Sequence, residues 1–413
     1  MKGIIVAIGD ELLIGQVLDS NSQFLATQLN LLGYEVERCI TIGDREDYLR
    51  EILNLYSHQE VVIITTGGLG PTDDDKTREV LASFLGQPLQ LHQPTLEAMN
   101  KFLAKTGKTV SEYHSRQAMI PKSSTVLPNQ LGTAPGIYII NGVMQVFCLP
   151  GVPYEMKHLF EDGVKPILEK NFRGNKRIHR TILTAGIAES ALAEKLIPFE
   201  KELPPNISLA YLPRVGQVRL RLTARKSDEK TLFQFNQQIS TLYKELGNWI
   251  YGENEESLPL VIGKLSKRLN WKIGTAESCT GGRVANEITL IPGSSSYFLG
   301  GVVVYSNGLK ESILKVNRQT LVTHGAVSSE TVEEMVKGGL EVLGVDVCVA
   351  ISGIAGPGGG TADKPVGTIW IGVGNKQRIE KHLIKGGKDR IRNIEYATTQ
   401  ALNLLRLFIM KFV

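Results

Sequence analysis

The chain has 413 residues, of which 42% are hydrophobic and 21% charged, ordinary values for a globular protein that exclude wholesale disorder. At about 150 residues per domain, this length predicts two or three domains. The 46 Lys and Arg residues barely outnumber the 42 Asp and Glu residues, so the charge balance does not favour binding to nucleic acid or to an anionic membrane.

No apolar run is long enough for a membrane-spanning helix, and the apolar start is too short for the core of a signal peptide. We therefore expect a cytoplasmic protein. The four cysteines lack Cys-x-x-Cys spacing and the seven histidines form no HExxH or HxH sequence. A disulfide framework and a histidine-based metal site are therefore not supported.

Three segments follow one another along the chain. Residues 1–170 alternate predicted strands (2–9, 35–42, 60–66, 143–149) with predicted helices (21–32, 44–55, 76–85), and Asp44 is the expected N-cap of the second helix. This βαβαβ order predicts a parallel sheet covered by helices on both faces, a three-layer α/β/α domain.

Residues 171–252 read as a small α+β domain, and residues 252–257 as a linker. The predicted strands of this α+β domain are 181–186, 208–212 and 217–224, and its predicted helices are 190–200 and 229–246. Residues 253–413 read as a second α/β domain. Its predicted strands are 271–276, 298–305, 346–352 and 366–373, and its helices are 260–269, 283–288, 329–343 and 389–408.

The first candidate site follows the first strand, in a glycine-bounded loop (9–15) that contains Asp10 and is followed by Asp19. Ligands of open parallel sheets bind outside the carboxyl ends of the strands. The alternative is a simple turn, with Asp19 or Ser20 capping the next helix.

The second candidate follows the third strand and contains Gly67, Gly68 and Gly70 before Asp73, Asp74 and Asp75. Glycine amides at a helix start can hold a phosphate, and the three acids can hold a divalent metal ion. The alternative is a Gly-Pro turn with an acidic helix start.

Two standard nucleotide signatures are missing. There is no GxGxxG sequence, and Gly107-Lys108-Thr109 has Phe102 where a Walker A sequence requires glycine. A dinucleotide oxidoreductase and a P-loop enzyme are therefore excluded on motif grounds.

The third candidate is the turn at residues 276–282, where Ser278 stands between a strand and a helix. Its hydroxyl can act as a nucleophile, with amides beside Gly281 and Gly282 holding an oxyanion. Alternatively, Ser278 or Thr280 caps the helix. Cys279 is a less favoured nucleophile, since a buried inert thiol is the commoner state.

A serine nucleophile requires a base, and the sequence offers His324 or Lys310. Lys310 follows the predicted strand 298–305, so parallel-strand geometry brings it to the same sheet edge as Ser278. As a base it needs a pKa lowered from about 10.4 by burial or nearby cations.

The fourth candidate is the glycine-rich loop 352–360, with Ser352, Gly353 and Gly356, which suits close approach of a ligand. Arg390, near the start of the last predicted helix, can pair with an anion. Several glycine-rich strand ends within one domain predict a shared pocket.

Together these motifs resemble the competence/damage-inducible protein A (CinA) family over nearly the whole chain. The resemblance rests on residues 9–15, 19–21, 65–77 and 149–156, which are similar to a molybdopterin-binding-like domain. It also rests on residues 276–282, 305–310, 324–328 and 352–360, which are similar to a nicotinamide-nucleotide amidase domain.

The resemblance implies two activities. The last domain would hydrolyse nicotinamide mononucleotide (NMN) to nicotinic acid mononucleotide and ammonia, with no cofactor. Its catalytic residues would be Ser278, Lys310 and Tyr305, and its substrate-binding residues Thr280, Gly281, Gly282, Ser352, Gly353, Gly356 and Arg390.

The first domain would hydrolyse ADP-ribose with a divalent ion (Mg, Mn or Co) on Asp73, Asp74 and Asp75. Its substrate-binding residues would be Gly67, Gly68, Gly70, Asp10 and Asp19. A homodimer without membrane or direct nucleic-acid partners is expected. Two alternatives stay open: an amidase with a silent first domain, or a nucleotide- or pterin-binding protein acting in competence or DNA damage.

Overall fold

The computed structural model of the chain describes residues 1–105, 107, 109, 111–172, 177–224 and 227–413. Lys108 of the rejected Walker-like sequence and part of the predicted middle domain (173–176, 225–226) lie outside them. The chain forms two compact units, Met1–Ile178 and His179–Ala224 with Asp228–Val413.

The first unit is built on a six-stranded sheet of order β2-β1-β3-β8-β7-β6 and a separate β4-β5 pair. Its strands are β1 Lys2–Ile8, β2 Glu35–Ile42, β3 Val61–Thr66, β4 Leu89–Leu91, β5 Met119–Pro121, β6 Thr125–Leu127, β7 Gly136–Asn141 and β8 Met144–Leu149. Its helices are α1 Asp10–Leu13, α2 Ser20–Leu31, α3 Glu46–Tyr56, α4 Thr77–Phe84, α5 Gln93–Ala104, α6 Glu112–Gln117, α7 Pro153–Leu159 and α8 Lys165–Asn171, with a π-helical turn at Phe160–Val164 between the last two.

The sheet of the first unit separates two hydrophobic cores, as the predicted α/β/α layering requires. Along β1, Ile4 and Val6 face one core while Ile5 faces the other. Strands β2, β1, β3 and β8 run parallel, whereas β7 and β6 are antiparallel additions. Four parallel carboxyl ends therefore meet at one edge, where the first two candidate loops lie.

One capping prediction in this unit is wrong. Helix α3 begins at Glu46 with Arg45 at its N-cap position, and Asp44 does not cap it. The Asp44 carboxylate instead accepts a hydrogen bond from the backbone N–H of Asp10 at 3.0 Å. Asp44 thus joins the loops that follow β1 and β2.

The second unit contains a four-stranded sheet of order β10-β11-β9-β12 and a five-stranded sheet of order β14-β13-β15-β16-β17. The strands are β9 Ile178–Ala185, β10 Ile207–Arg214, β11 Gln217–Ala224, β12 Ile250–Glu253, β13 Ile273–Glu277, β14 Phe298–Val303, β15 Val347–Gly353, β16 Thr368–Gly374 and β17 Ile379–Lys385. The helices are α9 Glu189–Lys201, α10 Glu229–Leu246, α11 Leu258–Leu269, α12 Arg283–Thr289, α13 Asn307–Ser312, α14 Arg318–His324, α15 Ser329–Leu343 and α16 Arg390–Met410.

The five-stranded sheet again separates two cores. On β15, Val347, Val349 and Ile351 pack in one core and Cys348 and Ala350 in the other. Strands β14, β13 and β15 are parallel, so their carboxyl ends share one edge. Strands β16 and β17 extend the sheet in antiparallel fashion.

One buried arginine joins helix α16 to the segment at the start of β12. Arg406 on α16 is 1% exposed and donates to the carbonyl oxygens of Asn248 and Ile250 at the start of β12 and to the side chain of Asn403. Burial lowers the Arg406 pKa to about 10, so the side chain is still charged at neutral pH. The segment predicted as a linker is short, since β12 ends at Glu253 and α11 begins at Leu258.

Within the described part of the chain, no helix combines the length and hydrophobicity needed to cross a membrane.

Candidate active site

Ser278 lies directly after β13, at the edge of the five-stranded sheet where the carboxyl ends of its parallel strands meet. Its backbone N–H donates to the carbonyl oxygen of Ile351 on β15, while the N–H of Val304, just after β14, donates to the carbonyl oxygen of Glu277. The turn is therefore fixed to both neighbouring strands. This is the sheet edge at which the sequence predicts a nucleophile.

The Ser278 hydroxyl faces the amine of Lys310, on the short helix α13. Lys310 Nζ lies 3.0 Å from Ser278 Oγ and donates to the carbonyl oxygen of Val304 at 2.9 Å. The lysine is 1% exposed, and burial lowers its pKa from the ordinary value of 10.5. A buried amine with a lowered pKa is what a lysine base requires.

His324, the other candidate base, and Cys279, the other candidate nucleophile, have different surroundings from Lys310 and Ser278. The His324 ring lies on the surface, 3.8 Å from the Glu330 carboxylate. The Cys279 thiol is buried, and burial raises its pKa to about 12. Such a thiol is almost wholly protonated near neutral pH and a poor nucleophile.

Glu277 holds the turn that carries the nucleophile. Its fully buried carboxylate accepts hydrogen bonds from the Thr280 hydroxyl at 2.7 Å and from the backbone N–H groups of Gly282, Val284 and Ala285 at 2.8–3.1 Å. It thereby caps α12, so neither Ser278 nor Thr280 does. No role for Glu277 was predicted from the sequence, although an acid just before a helix start is the signal that points to one.

The amides expected to hold an oxyanion are partly occupied. The Gly281 N–H donates to the carbonyl oxygen of Ser278, and the Gly282 N–H donates to Glu277. Among the described residues, the N–H of Thr280 has no backbone acceptor, whereas the N–H of Cys279 is hydrogen-bonded to its own thiol. The amides of Gly281 and Gly282 are therefore already engaged within the protein.

Tyr305 does not contact the lysine. Its hydroxyl accepts a hydrogen bond from Arg390 at 2.9 Å, and its side chain is 59% exposed. Arg390 also donates to the carbonyl oxygen of Gly356 at 2.7 Å. The structure thus brings together Tyr305, Gly356 and Arg390.

Two further side chains shape the glycine-rich loop after β15. Buried Ser352 donates to the carbonyl oxygen of Ala326 at 2.6 Å, so its hydroxyl serves the neighbouring loop. Asn393 on α16 is also buried and binds the carbonyl oxygens of Ala355 and Gly387 and the N–H of Gly387. The sequence analysis missed Asn393, which lies three residues beyond Arg390 in a helix.

In the first unit, the Gly67–Gly70 loop is held largely by its own contacts. The Gly67 N–H donates to the carbonyl oxygen of Leu149, and the Gly70 N–H donates to the Asp75 carboxylate. Of these three glycines, only Gly68 has an N–H with no acceptor among the described residues. A phosphate cradle made of all three glycine amides is therefore not present.

The three consecutive acids do not converge on one point. Asp75 accepts hydrogen bonds from Gly70 and Thr72, and Asp73 pairs with Arg116 at 3.0 Å. Within the described ranges, no group of three or more His, Cys, Asp or Glu side chains is arranged to hold a metal ion. Asp73, Asp74 and Asp75 thus do not fit a single metal site in this conformation.

A different acidic group lies at the same sheet edge. The Asp44 carboxylate accepts a hydrogen bond from the Asp10 N–H at 3.0 Å, and the Asp10 carboxylate accepts one from the Asp44 N–H at 3.4 Å. Burial raises the Asp44 pKa, and the negative charges of Asp10, Glu11 and Asp74 add to this. Asp19, by contrast, caps α2 by accepting from the Ser22 N–H, the structural alternative for this residue.

Models of three domain families match consecutive parts of the chain. A probable molybdopterin binding domain matches residues 4–170, the damage-inducible protein CinA KH domain matches residues 179–252, and the CinA C-terminal domain matches residues 255–409. The KH-type match was not foreseen from the sequence.

Full-length relatives agree with these matches. A CinA-like protein of Cytophaga hutchinsonii is 38% identical over 404 residues, covering 97% of this chain and 96% of the relative. A CinA-like protein of Chloroherpeton thalassium is 39% identical over 418 residues, covering 98% and 99%. The solved structure of a CinA superfamily protein from Klebsiella pneumoniae is 31% identical and covers 38% of this chain and 99% of that one, with a TM-score of 0.36.

The fold and the site define a multidomain α/β protein with a buried serine–lysine pair at a sheet edge. The chain belongs to the CinA family of competence/damage-inducible proteins.

Replacing Glu277 with Gln is expected to loosen the nucleophile turn, because one acceptor oxygen becomes an NH2 group that faces backbone N–H donors. Hydrogen exchange at Gly282, Val284 and Ala285 should accelerate by about tenfold or more, since one charge-assisted hydrogen bond contributes about 1.5–3 kcal/mol. Glu341→Gln, at an exposed site on α15, is the control and should leave these amides unchanged. Equal protection in Glu277→Gln and the native chain would contradict the role.

Proposed function

We propose that the C-terminal domain is a serine amidohydrolase that converts NMN to nicotinic acid mononucleotide and ammonia. The observation that carries the proposal is the 3.0 Å approach of Lys310 Nζ to Ser278 Oγ, with the lysine excluded from water. The resemblance to nicotinamide-nucleotide amidase domains supplies the substrate.

In the acylation step, the neutral Lys310 amine takes the Ser278 proton while Oγ bonds to the carboxamide carbon. The carbonyl oxygen becomes an oxyanion, which the N–H of Thr280 can stabilise, joined by the N–H of Cys279 when it turns from its own thiol. The C–N bond then breaks, and Lys310 returns the proton to the leaving nitrogen, which departs as ammonia. An acyl ester on Ser278 remains.

In the deacylation step, water attacks the acyl carbon while Lys310 again takes a proton. The C–O bond to Ser278 breaks, and the lysine returns the proton to the serine. The acid product and the free enzyme result, so atoms and protons balance over the cycle.

Arg390 is the candidate for the ligand phosphate. Its guanidinium carries five N–H groups, and two of its nitrogens are already oriented by Gly356 and Tyr305. Such an arginine is pre-positioned rather than free to rotate. In this proposal Tyr305 orients Arg390 and does not act on Lys310.

Ser278→Ala is expected to reduce ammonia release from NMN by at least about 10³-fold, because it removes the nucleophile. Cys279→Ala is the matched control at the adjacent position and should retain activity, since its thiol is buried and protonated. Ammonia measured with purified native and variant proteins tests both. Loss with Cys279→Ala and retention with Ser278→Ala would move the nucleophile to the thiol.

The rate is expected to rise with pH as Lys310 loses its proton, because only the neutral amine can accept the serine proton. Burial lowers the Lys310 pKa, so the midpoint should lie below 10.5. The pH profile of kcat/KM measures this midpoint. Lys310→Arg should be inactive at every pH, since a guanidinium stays protonated. An unchanged profile in Lys310→Arg would exclude the lysine base.

We also propose that the N-terminal domain hydrolyses the pyrophosphate of ADP-ribose with a divalent ion. Support comes from the family resemblance and from the acidic carboxyl edge of Asp10, Asp44 and Asp74. The Asp73–Asp75 triad does not fit a metal as a set, so no catalytic step is assigned to the ion.

Release of AMP and ribose 5-phosphate from ADP-ribose, with Mg, Mn or Co ions or with a chelator, tests this second activity. Asp74→Asn should lower turnover by about tenfold or more, because it removes a charge from the acidic edge. Asp73→Asn is the control, since Asp73 pairs with Arg116. Full turnover in chelator would contradict the metal requirement, and no turnover under any condition would leave a silent domain.

A further inference from the structure

A cavity of about 480 Å³ lies within the second unit, and neither Ser278 nor Lys310 lines it. One wall is the β10–β11 hairpin of the KH-type domain, and the other is formed by helices of the C-terminal domain. Its volume falls in the range of about 300–1,000 Å³ typical of small-molecule sites. No step of the proposed reaction uses it.

The charges that line this cavity are partly neutralised by one another. Arg283 pairs with Glu395 at 3.0 Å, and Glu256 is engaged by Lys264. Arg214, Arg219 and Glu287 are left. Among the described residues, neither Arg214 nor Arg219 has a carboxylate within ion-pair distance.

Arg219 is the more informative of the two arginines. It belongs to the face of β11 opposite the buried row Val218, Leu220 and Leu222. Its Nε atom is buried and has no hydrogen-bond partner among the described residues. The Arg219 side chain lines the cavity and has no carboxylate partner among the described residues, so an anionic ligand in the cavity would supply the acceptor that the protein does not.

We propose that this cavity binds a nucleoside monophosphate. Arg214 and Arg219 recognise the phosphate, Glu287 accepts hydrogen bonds from ribose hydroxyls, and Leu258 and Leu402 provide apolar surface for the base. A free phosphate satisfies only the arginines, whereas the nucleoside monophosphate also uses the acid and the apolar wall.

The same observations favour a small ligand over a nucleic-acid strand. KH domains clamp single strands with a Gly-x-x-Gly loop, and residues 179–252 contain no such sequence. In this unit the loop after β9 also packs closely on α16, because a Cβ atom on Gly186 would lie 2.8 Å from Asn403 Nδ2.

The cavity is connected to the catalytic turn through α12. Arg283, the first residue of α12, lines the cavity, while Glu277 holds the other side of that helix start beside Ser278. The ligand site is nevertheless separate from the reaction, so its test does not depend on the amidase activity.

Titration calorimetry of the full chain with AMP, ribose 5-phosphate and inorganic phosphate tests the site. AMP is expected to bind more tightly than inorganic phosphate. Arg219→Gln should weaken AMP binding by about tenfold or more, since one charge-assisted contact is lost. Arg221→Gln, two residues along the same face of β11, is the matched control and should bind AMP normally. Thermal unfolding confirms that both variants fold.

Three outcomes would overturn the proposal. Equal AMP binding by the native chain and by Arg219→Gln, together with loss of AMP binding in Arg390→Gln, would place the ligand at the catalytic site. Absence of AMP binding at millimolar concentration would leave the cavity without this ligand. Binding of a labelled single-stranded oligonucleotide that requires Arg219, without binding of AMP, would assign the surface to nucleic acid.

Discussion

The site of the second unit depends on keeping one lysine amine out of water beside a serine hydroxyl. In water an amine with a pKa near 10.5 is protonated and cannot accept a proton at neutral pH. Burial of Lys310 beside the carboxyl ends of the strands removes the hydration that favours the charged form of the amine. The Val304 carbonyl then orients the amine toward Ser278 without supplying the negative charge that would raise its pKa again.

This constraint explains why the acid nearest the nucleophile is tied up elsewhere. Glu277 is next to Ser278 in sequence, and a direct hydrogen bond from Lys310 to its carboxylate would favour the protonated lysine. Its oxygens are instead engaged by N–H groups at the start of α12 and by Thr280. One buried acid therefore positions the turn, while the neighbouring lysine keeps a lowered pKa. The cost is that the Gly282 amide is no longer available to an oxyanion.

Much of the fold could be predicted from the sequence, because buried parallel strands are continuous apolar runs. Strand β2 matches its prediction at both ends, and helix α15 does too. Strand β17 was missed, since it is an edge strand in which charged residues interrupt the apolar ones. The Ser278–Lys310 pair could be predicted because the carboxyl ends of adjacent parallel strands meet. The hydrogen-bond partners of Tyr305 and of the glycine amides could not, because sequence does not show which donors the protein itself uses.

The two glycine-rich sheet edges of the molecule differ in which of their backbone N–H groups are already hydrogen-bonded within the protein. A glycine loop at a sheet edge is a ligand site only in so far as its N–H groups remain unpaired. In the first unit, Asp75 and the β8 carbonyl of Leu149 already accept from Gly70 and Gly67, so these glycines serve mainly to let the backbone turn. In the second unit, Gly281 and Gly282 donate to Ser278 and Glu277, while the Thr280 amide has no backbone acceptor among the described residues. A glycine-rich loop thus forms a turn whose N–H groups are largely used within the protein at one edge, and a turn with an available N–H donor at the other.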